Sequence, residues 1–317
     1  MRLNFTISST NAIALAKMLS YAKNLWKKGE LIYLYCKDDS IQFYPDPGDI
    51  SDNIYGKIEL YPITKEDDPD RLGFMKEFEI KSKAPESKIL LCFHNFGQFF
   101  DVIRSFSAYG NDISFSLKKE VDREVEIFRV RCKSDNSDDE IFDKVQVEVC
   151  QYELDTKSPK EIKQKETMII LNEMETSIFF TNFYEKISTL FPLFAHSEYN
   201  GDCVALTFSI LEPEDEEKTS LQITLDMGGY ESKNEIKVPK IDDALHPSVI
   251  KISDDYNLGD EISTKVGYAH FLKMFKIVRC KGTMMIEITD QDSIALNYDF
   301  EDCKSAKIYV TCTGVIE

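Results

Sequence analysis

Long apolar runs are missing from this sequence, and none approaches the ~18 residues that a membrane-spanning helix needs. The opening MRLNFTISST alternates instead of placing an apolar region after a charged one, so no signal peptide is expected. Asn4-Phe5-Thr6 then matches the glycosylation pattern only by chance. Histidine is scarce, with four residues (94, 196, 246, 270), and the eight cysteines (36, 92, 132, 150, 203, 280, 303, 312) include no C-x-x-C pair. A zinc site needs closely spaced thiolates or imidazoles, so neither a metal nor a cofactor is expected. Most of the cysteines lie in apolar strand contexts, where a free thiol acts as a small hydrophobe, and a reduced intracellular compartment follows. No glycine-rich phosphate loop is present; Gly228-Gly229 reads as a turn. Positive charge is the remaining shortage: 38 Lys+Arg face 56 Asp+Glu, for a net charge of −18 and a pI near 4.8. Spread evenly, that balance would argue against nucleic acid.

What is present is ample core material. The 317 residues are 43% hydrophobic and 12% aromatic, enough for two domains with their own cores. Residues 2–7 alternate as a half-buried strand, and Ser-Ser-Thr-Asn at 8–11 offers an N-cap to a helix over 11–28. Strands are predicted at 31–36, 41–44, 55–61, 76–80 and 88–93, followed by a helix at 95–108 that ends at Gly110 and Asn111. Three alternating strands close this half, at 113–117, 128–132 and 142–150. The polar stretch 151–165 reads as a linker between domains 1–150 and 166–317.

The order then begins again. A strand at 167–171 leads to a helix over 173–191, then to strands at 204–210, 221–225, 233–240 and 261–267. Pro239 suggests that the fourth of these five lies at a sheet edge, because proline lacks the donor that a central ladder needs. A helix over 268–281 and three closing strands complete the chain. The expected class is α+β, with two similar domains, each carrying two helices on one face of antiparallel sheets.

The positive charge is not spread evenly. Segment 10–28 holds Lys17, Lys23, Lys27 and Lys28 without an acid, and segment 268–281 holds Lys273, Lys276, Arg279 and Lys281 without an acid. Removing their +8 from the total leaves −26 on the rest of the chain. On helical wheels Leu15, Met18, Leu19, Ala22, Leu25 and Trp26 form one apolar stripe, and Phe271, Met274, Phe275 and Val278 form another. Lys17, Lys27, Lys28, Lys273, Lys276 and Arg279 face away from these stripes, with Lys23 at the margin. An outward helix face is ordinarily just solvated. Here the missing i,i+4 acids, in a chain rich in acids, favour a footprint for phosphates inside a repelling exterior. The faces of the other two helices are nearly neutral, with Arg104 at the edge of one. Their Phe96, Phe99, Phe100, Phe179, Phe180 and Phe183 fall on buried stripes and read as core. An enzyme of the Cys/His hydrolase kind would have to use Cys92 and His94, but no third orienting group is evident.

The element order, together with several stretches, resembles the sliding-clamp fold of the proliferating cell nuclear antigen. The nearest resemblance is to Hus-one-type subunits of the heterotrimeric nine-one-one DNA damage checkpoint clamp. The stretches are MRLNFTI running into AIALAKMLSYAKNL, EFEIKSKAPESKILLCFHNFGQFFDVIRSF, NDISFSLKK with VEIFRVRC, KVQVEV, ETMIILNEMETSIFFTNFYEKISTLF, and the closing IALNYDF and AKIYVTC. The resemblance implies a non-catalytic nuclear scaffold that encircles duplex DNA without reading sequence. It implies ring closure with two different subunits (Rad-nine-like and Rad-one-like), opening by a clamp loader, and client proteins docking at the connecting loop 151–165. No membrane is involved. Lys17, Lys23, Lys27, Lys28, Lys273, Lys276 and Arg279 would lie on or beside the DNA-facing helices. The strands 142–150, with Val145, Val147 and Val149, and 233–240, with Ile236 and Val238, would lie where subunits join edge to edge. A homotrimeric replication processivity clamp is the alternative within the fold. Acidic inserts at 66–70, 134–140 and 212–217 have no role in this reading.

Overall fold

The computed structural model describes residues 2–26, 31–45, 54–62, 73–81, 88–93, 95–119, 126–132, 144–152, 177–180, 203–211, 218–226, 231–239, 261–275, 282–289, 293–300 and 303–313. The chain divides into two compact units. The first takes Met1–Asp49, Gly56–Glu166 and Asp302–Ile308; the second takes Ile50–Tyr55, Thr167–Glu301 and Tyr309–Glu317.

In the first unit, strand β1 (Arg2–Ile7) buries Leu3, Phe5 and Ile7, as its alternation dictates. Ser8 then caps helix α1 (Ser9–Leu25), its side chain accepting from the Asn11 N–H at 3.2 Å. Strands β2 (Ile32–Cys36), β3 (Ile41–Pro45), β4 (Ile54–Leu60), β5 (Met75–Lys81) and β6 (Ile89–Phe93) follow. Helix α2 (Phe96–Ser107) is capped by Asn95, which accepts from the Gln98 N–H at 3.1 Å. Gly110, with φ of 73°, carries the chain away from it through a left-handed residue that glycine tolerates. Strands β7 (Ile113–Lys119), β8 (Glu126–Cys132) and β9 (Lys144–Tyr152) complete the unit. The ladder runs β4-β3-β2-β6-β9-β8-β7-β1-β5, and its pairings are antiparallel.

Phe99 centres the core. Its ring lies 4.6 to 6.4 Å from those of Phe93, Phe43, Phe128 and Phe115, which come from β6, β3, β8 and β7. Each such ring contributes roughly 1.5–3 kcal/mol by burial. The phenylalanines at 96, 99 and 100 are therefore core residues, as expected.

The second unit contains β10 (Ser177–Phe180), β11 (Cys203–Leu211), β12 (Lys218–Asp226), β13 (Glu231–Pro239), β14 (Glu261–Gly267), α3 (Tyr268–Phe275), β15 (Gly282–Thr289) and β16 (Ser293–Phe300). Its four-stranded antiparallel sheet runs β13-β12-β11-β14. A second run is β10-β15-β16. Strand β17 (Cys303–Thr313) is divided between the two units at Ile308. Helix α3 packs on β14 and β11, burying Phe271 and Met274.

The helix expected over 173–191 is corrected in its described part, because Ser177–Phe180 is a strand paired with Met284–Glu287 of β15. Ile178, Phe179 and Phe180 are good strand formers, and a long-range ladder outweighs their local helical spacing. Residues 167–171, 173–176 and 181–191 lie outside the described residues, so the second unit shows one described helix, where two were expected. The linker also begins later than expected: Gln151 and Tyr152 end β9 and pair with Leu91 and Leu90. The acidic inserts fall outside the described residues. The protein is α+β, with antiparallel sheets and a few helices packed on them.

Candidate nucleic-acid interface

The exposed arc of α1 follows directly from its buried stripe. Leu15, Met18, Leu19, Ala22, Leu25 and Trp26 are buried, and Thr10, Ile13, Lys17, Ser20 and Asn24 are exposed at the complementary spacing. Lys23 is exposed at the margin, where α1 meets α2, and its Nζ stands 4.6 Å from the centre of the buried Phe100 ring. Arg104 of α2 approaches the same ring, its guanidinium carbon 5.8 Å from the centre. Such contacts contribute about 0.5–1 kcal/mol at exposed sites. They also hold two cations beside one aromatic edge. Asp101 lies 3.9 Å from Arg104, but both are well exposed, and a pair of that kind is weak. The described helix layer of this unit therefore presents Lys17, Lys23 and Arg104 against one acid, Asp101.

The other expected cations divide as follows. Lys27, Lys28, Lys276 and Arg279 lie outside the described residues. Lys273, expected on an outward face, is half-buried on the two-turn α3, between buried Phe271 and Met274. Arg104 is the residue that sequence reasoning undervalued. Its i,i+4 spacing from Phe100 is visible in the sequence, whereas the approach of Lys23 from another helix is not.

The expected edge strands show different partnerships. β13, with Ile236 and Val238, is the last strand of its sheet and pairs only with β12 among the described strands. Pro239 lies at its end, as an edge position permits. β9 is less open than an edge strand should be. Register sets Val145, Val147 and Val149 opposite Val130, Phe128 and Glu126 of β8, and Val149 also faces Phe93 of β6. Among the described strands residues 144–148 pair only with β8, residues 150–152 only with β6, and Val149 with both.

On the sheet face opposite the helices, the described Arg2, Lys81, Arg129 and Arg131 outnumber Glu77 and Glu79. Single cations at alternate strand positions carry no periodic signal that separates them from ordinary solvated residues.

Cys92 is buried, its Sγ 3.9 Å from the Phe93 carbonyl oxygen, and His94 lies outside the described residues. Burial also pushes the Cys36 thiol far above its ordinary range, which keeps it protonated. Among the described residues no cluster of three His, Cys, Asp or Glu could hold a metal ion, and no helix is long and apolar enough to cross a membrane. No protein-family model matches the chain, and no curated protein is recognisably similar to it.

Proposed function

We propose that the chain is a non-catalytic subunit of a ring-shaped DNA sliding clamp, a nuclear scaffold in damage checkpoint signalling and repair. The observation that carries this reading is α1: an acid-free helix on an acidic chain, with Lys17 and Lys23 exposed above an antiparallel sheet. Phosphates of a duplex are the natural counterpart of such a face, and contacts there are independent of sequence. The edge of β13, which has no second partner among the described strands, supports edge-to-edge joining with a neighbouring subunit, since unpaired strand edges are ordinarily blunted or covered. In this reading the two ring partners are different clamp subunits of the Rad-nine-like and Rad-one-like kinds. A clamp loader opens the ring, and clients dock at the connecting loop.

The test is retention of duplex DNA by the ring reconstituted with both partners. Lys17→Glu combined with Lys23→Glu is expected to weaken binding equally across sequences. It should also flatten the dependence of log K on log salt by about 0.9 for each phosphate that is no longer neutralised. Unchanged retention and an unchanged salt slope would overturn the proposal.

A further inference from the structure

The sheet face turned away from the helices of the first unit contains a groove of about 450 Å³, lined by Arg131, Ser114, Ser116, Thr6, Glu77 and Glu79. Register explains its contents. Glu77 of β5, Thr6 of β1, Ser114 of β7 and Arg131 of β8 stand side by side in one row across four strands. In the neighbouring row Ser116 stands beside Arg129. Glu77 and Arg131 are thus three strand spacings apart, roughly 14 Å at ~4.8 Å each.

The two ends of this groove differ in charge. At one end Arg131 is exposed and makes no ion pair among the described residues. At the other end Glu79 is matched by Lys81 and Arg2, at 2.9 and 3.2 Å. Glu77 receives only the Thr6 hydroxyl, at 3.4 Å, and has no matching cation among the described residues. Thr6 spends its single proton on that carboxylate, so in the 3.1 Å contact between Thr6 and Ser114 it is Ser114 that donates. The Ser116 hydroxyl is left for a ligand.

The Arg131 guanidinium and the Ser116 hydroxyl suit a phosphate, which offers three strong acceptor oxygens and close to two negative charges. A nucleic-acid strand fits poorly, because its following phosphates would meet Glu77. A single phosphate followed by a cation fits both ends. We infer that this groove docks an extended peptide segment carrying a phosphoserine or phosphothreonine, with a basic residue about four positions away, since an extended chain advances ~3.3 Å per residue.

The test is fluorescence anisotropy on the full chain. The probe is a labelled Gly/Ser peptide bearing one phosphoserine and, about four residues on, one lysine. Removing the phosphate from the peptide, or making Arg131→Gln in the protein, is expected to weaken binding by about tenfold or more. Arg131→Lys, which keeps the charge but not the fork, should fall between. Glu77→Gln should weaken the lysine-bearing peptide and leave a lysine-free phosphopeptide unchanged. All three substitutions are at exposed positions, and unaltered circular dichroism checks their folding. Equal binding of the unphosphorylated peptide would overturn the inference, as would indifference to Arg131→Gln. Duplex DNA binding that is lost in Arg131→Gln, without phosphopeptide binding, would make the face a nucleic-acid surface and overturn it equally.

Discussion

Glu79 is held between two cations on the outward sheet face, with Lys81 Nζ 2.9 Å from Oε1 and Arg2 Nε 3.2 Å from Oε2. The Lys81 hydrogen bond, and then the Arg2 charge, hold its carboxyl below the usual range. A carboxylate depressed in the folded state adds stability that is present above its unfolded pKa, near 4.3, and is lost as pH falls through the lower folded value. The urea midpoint of the wild type should therefore fall more steeply than that of Glu79→Gln as pH drops below about 4.3, the two curves converging at the acid end. Because the pair is exposed, added salt should shrink the difference. Parallel curves would contradict this account. Alternation in MRLNFTI made the outward position of Arg2 legible, but Glu79 lies on a strand more than seventy residues away, and only the β1–β5 register brings them together.

At the scale of elements, the junction of α1 with β4 is the most exacting contact. Trp26 donates its indole N–H to the Gly56 carbonyl at 2.8 Å, and a Cβ on Gly56 would come within 2.6 Å of Leu25 Cδ1. Gly56→Ala should thus force the buried Leu25 side chain out of its position and cost about 1–3 kcal/mol, read as a lower urea midpoint by circular dichroism with an unchanged m-value. No change in midpoint would mean that Leu25 swings aside freely. The stripe and cap of α1 were legible because they are local: Ser8, Leu15, Met18 and Leu19 lie within one window. Ser177–Phe180 was misread for the opposite reason. Its Ile and Phe residues satisfy either period, and the deciding partners, Met284 and Met285, are a hundred residues away. The candidate site divides in the same way. The acid-free run that holds Lys17 and Lys23 is a one-dimensional fact, whereas the meeting of Lys23 and Arg104 at Phe100 depends on how two helices cross.

For the whole molecule, the side of β13 that has no partner among the described strands is the feature that bears on assembly. Pro239 discourages indiscriminate pairing at that edge, and in the proposed ring a neighbouring subunit covers it. Expressed alone, the chain should be monomeric by native mass spectrometry. Co-expressed with two clamp partners it should recover as a ring containing one copy of each. A stable homotrimer of this chain alone would instead favour a replication clamp. Any such measurement can draw on the only tryptophan in the sequence, Trp26, which is buried where α1 meets α2 and stacks edge-on to Phe96 at 5.1 Å. Its emission is a gauge wired to the first unit alone. Fluorescence will record that unit melting while the second passes unseen, and a gap between the optical and dichroic transitions would time one half of the chain against the other.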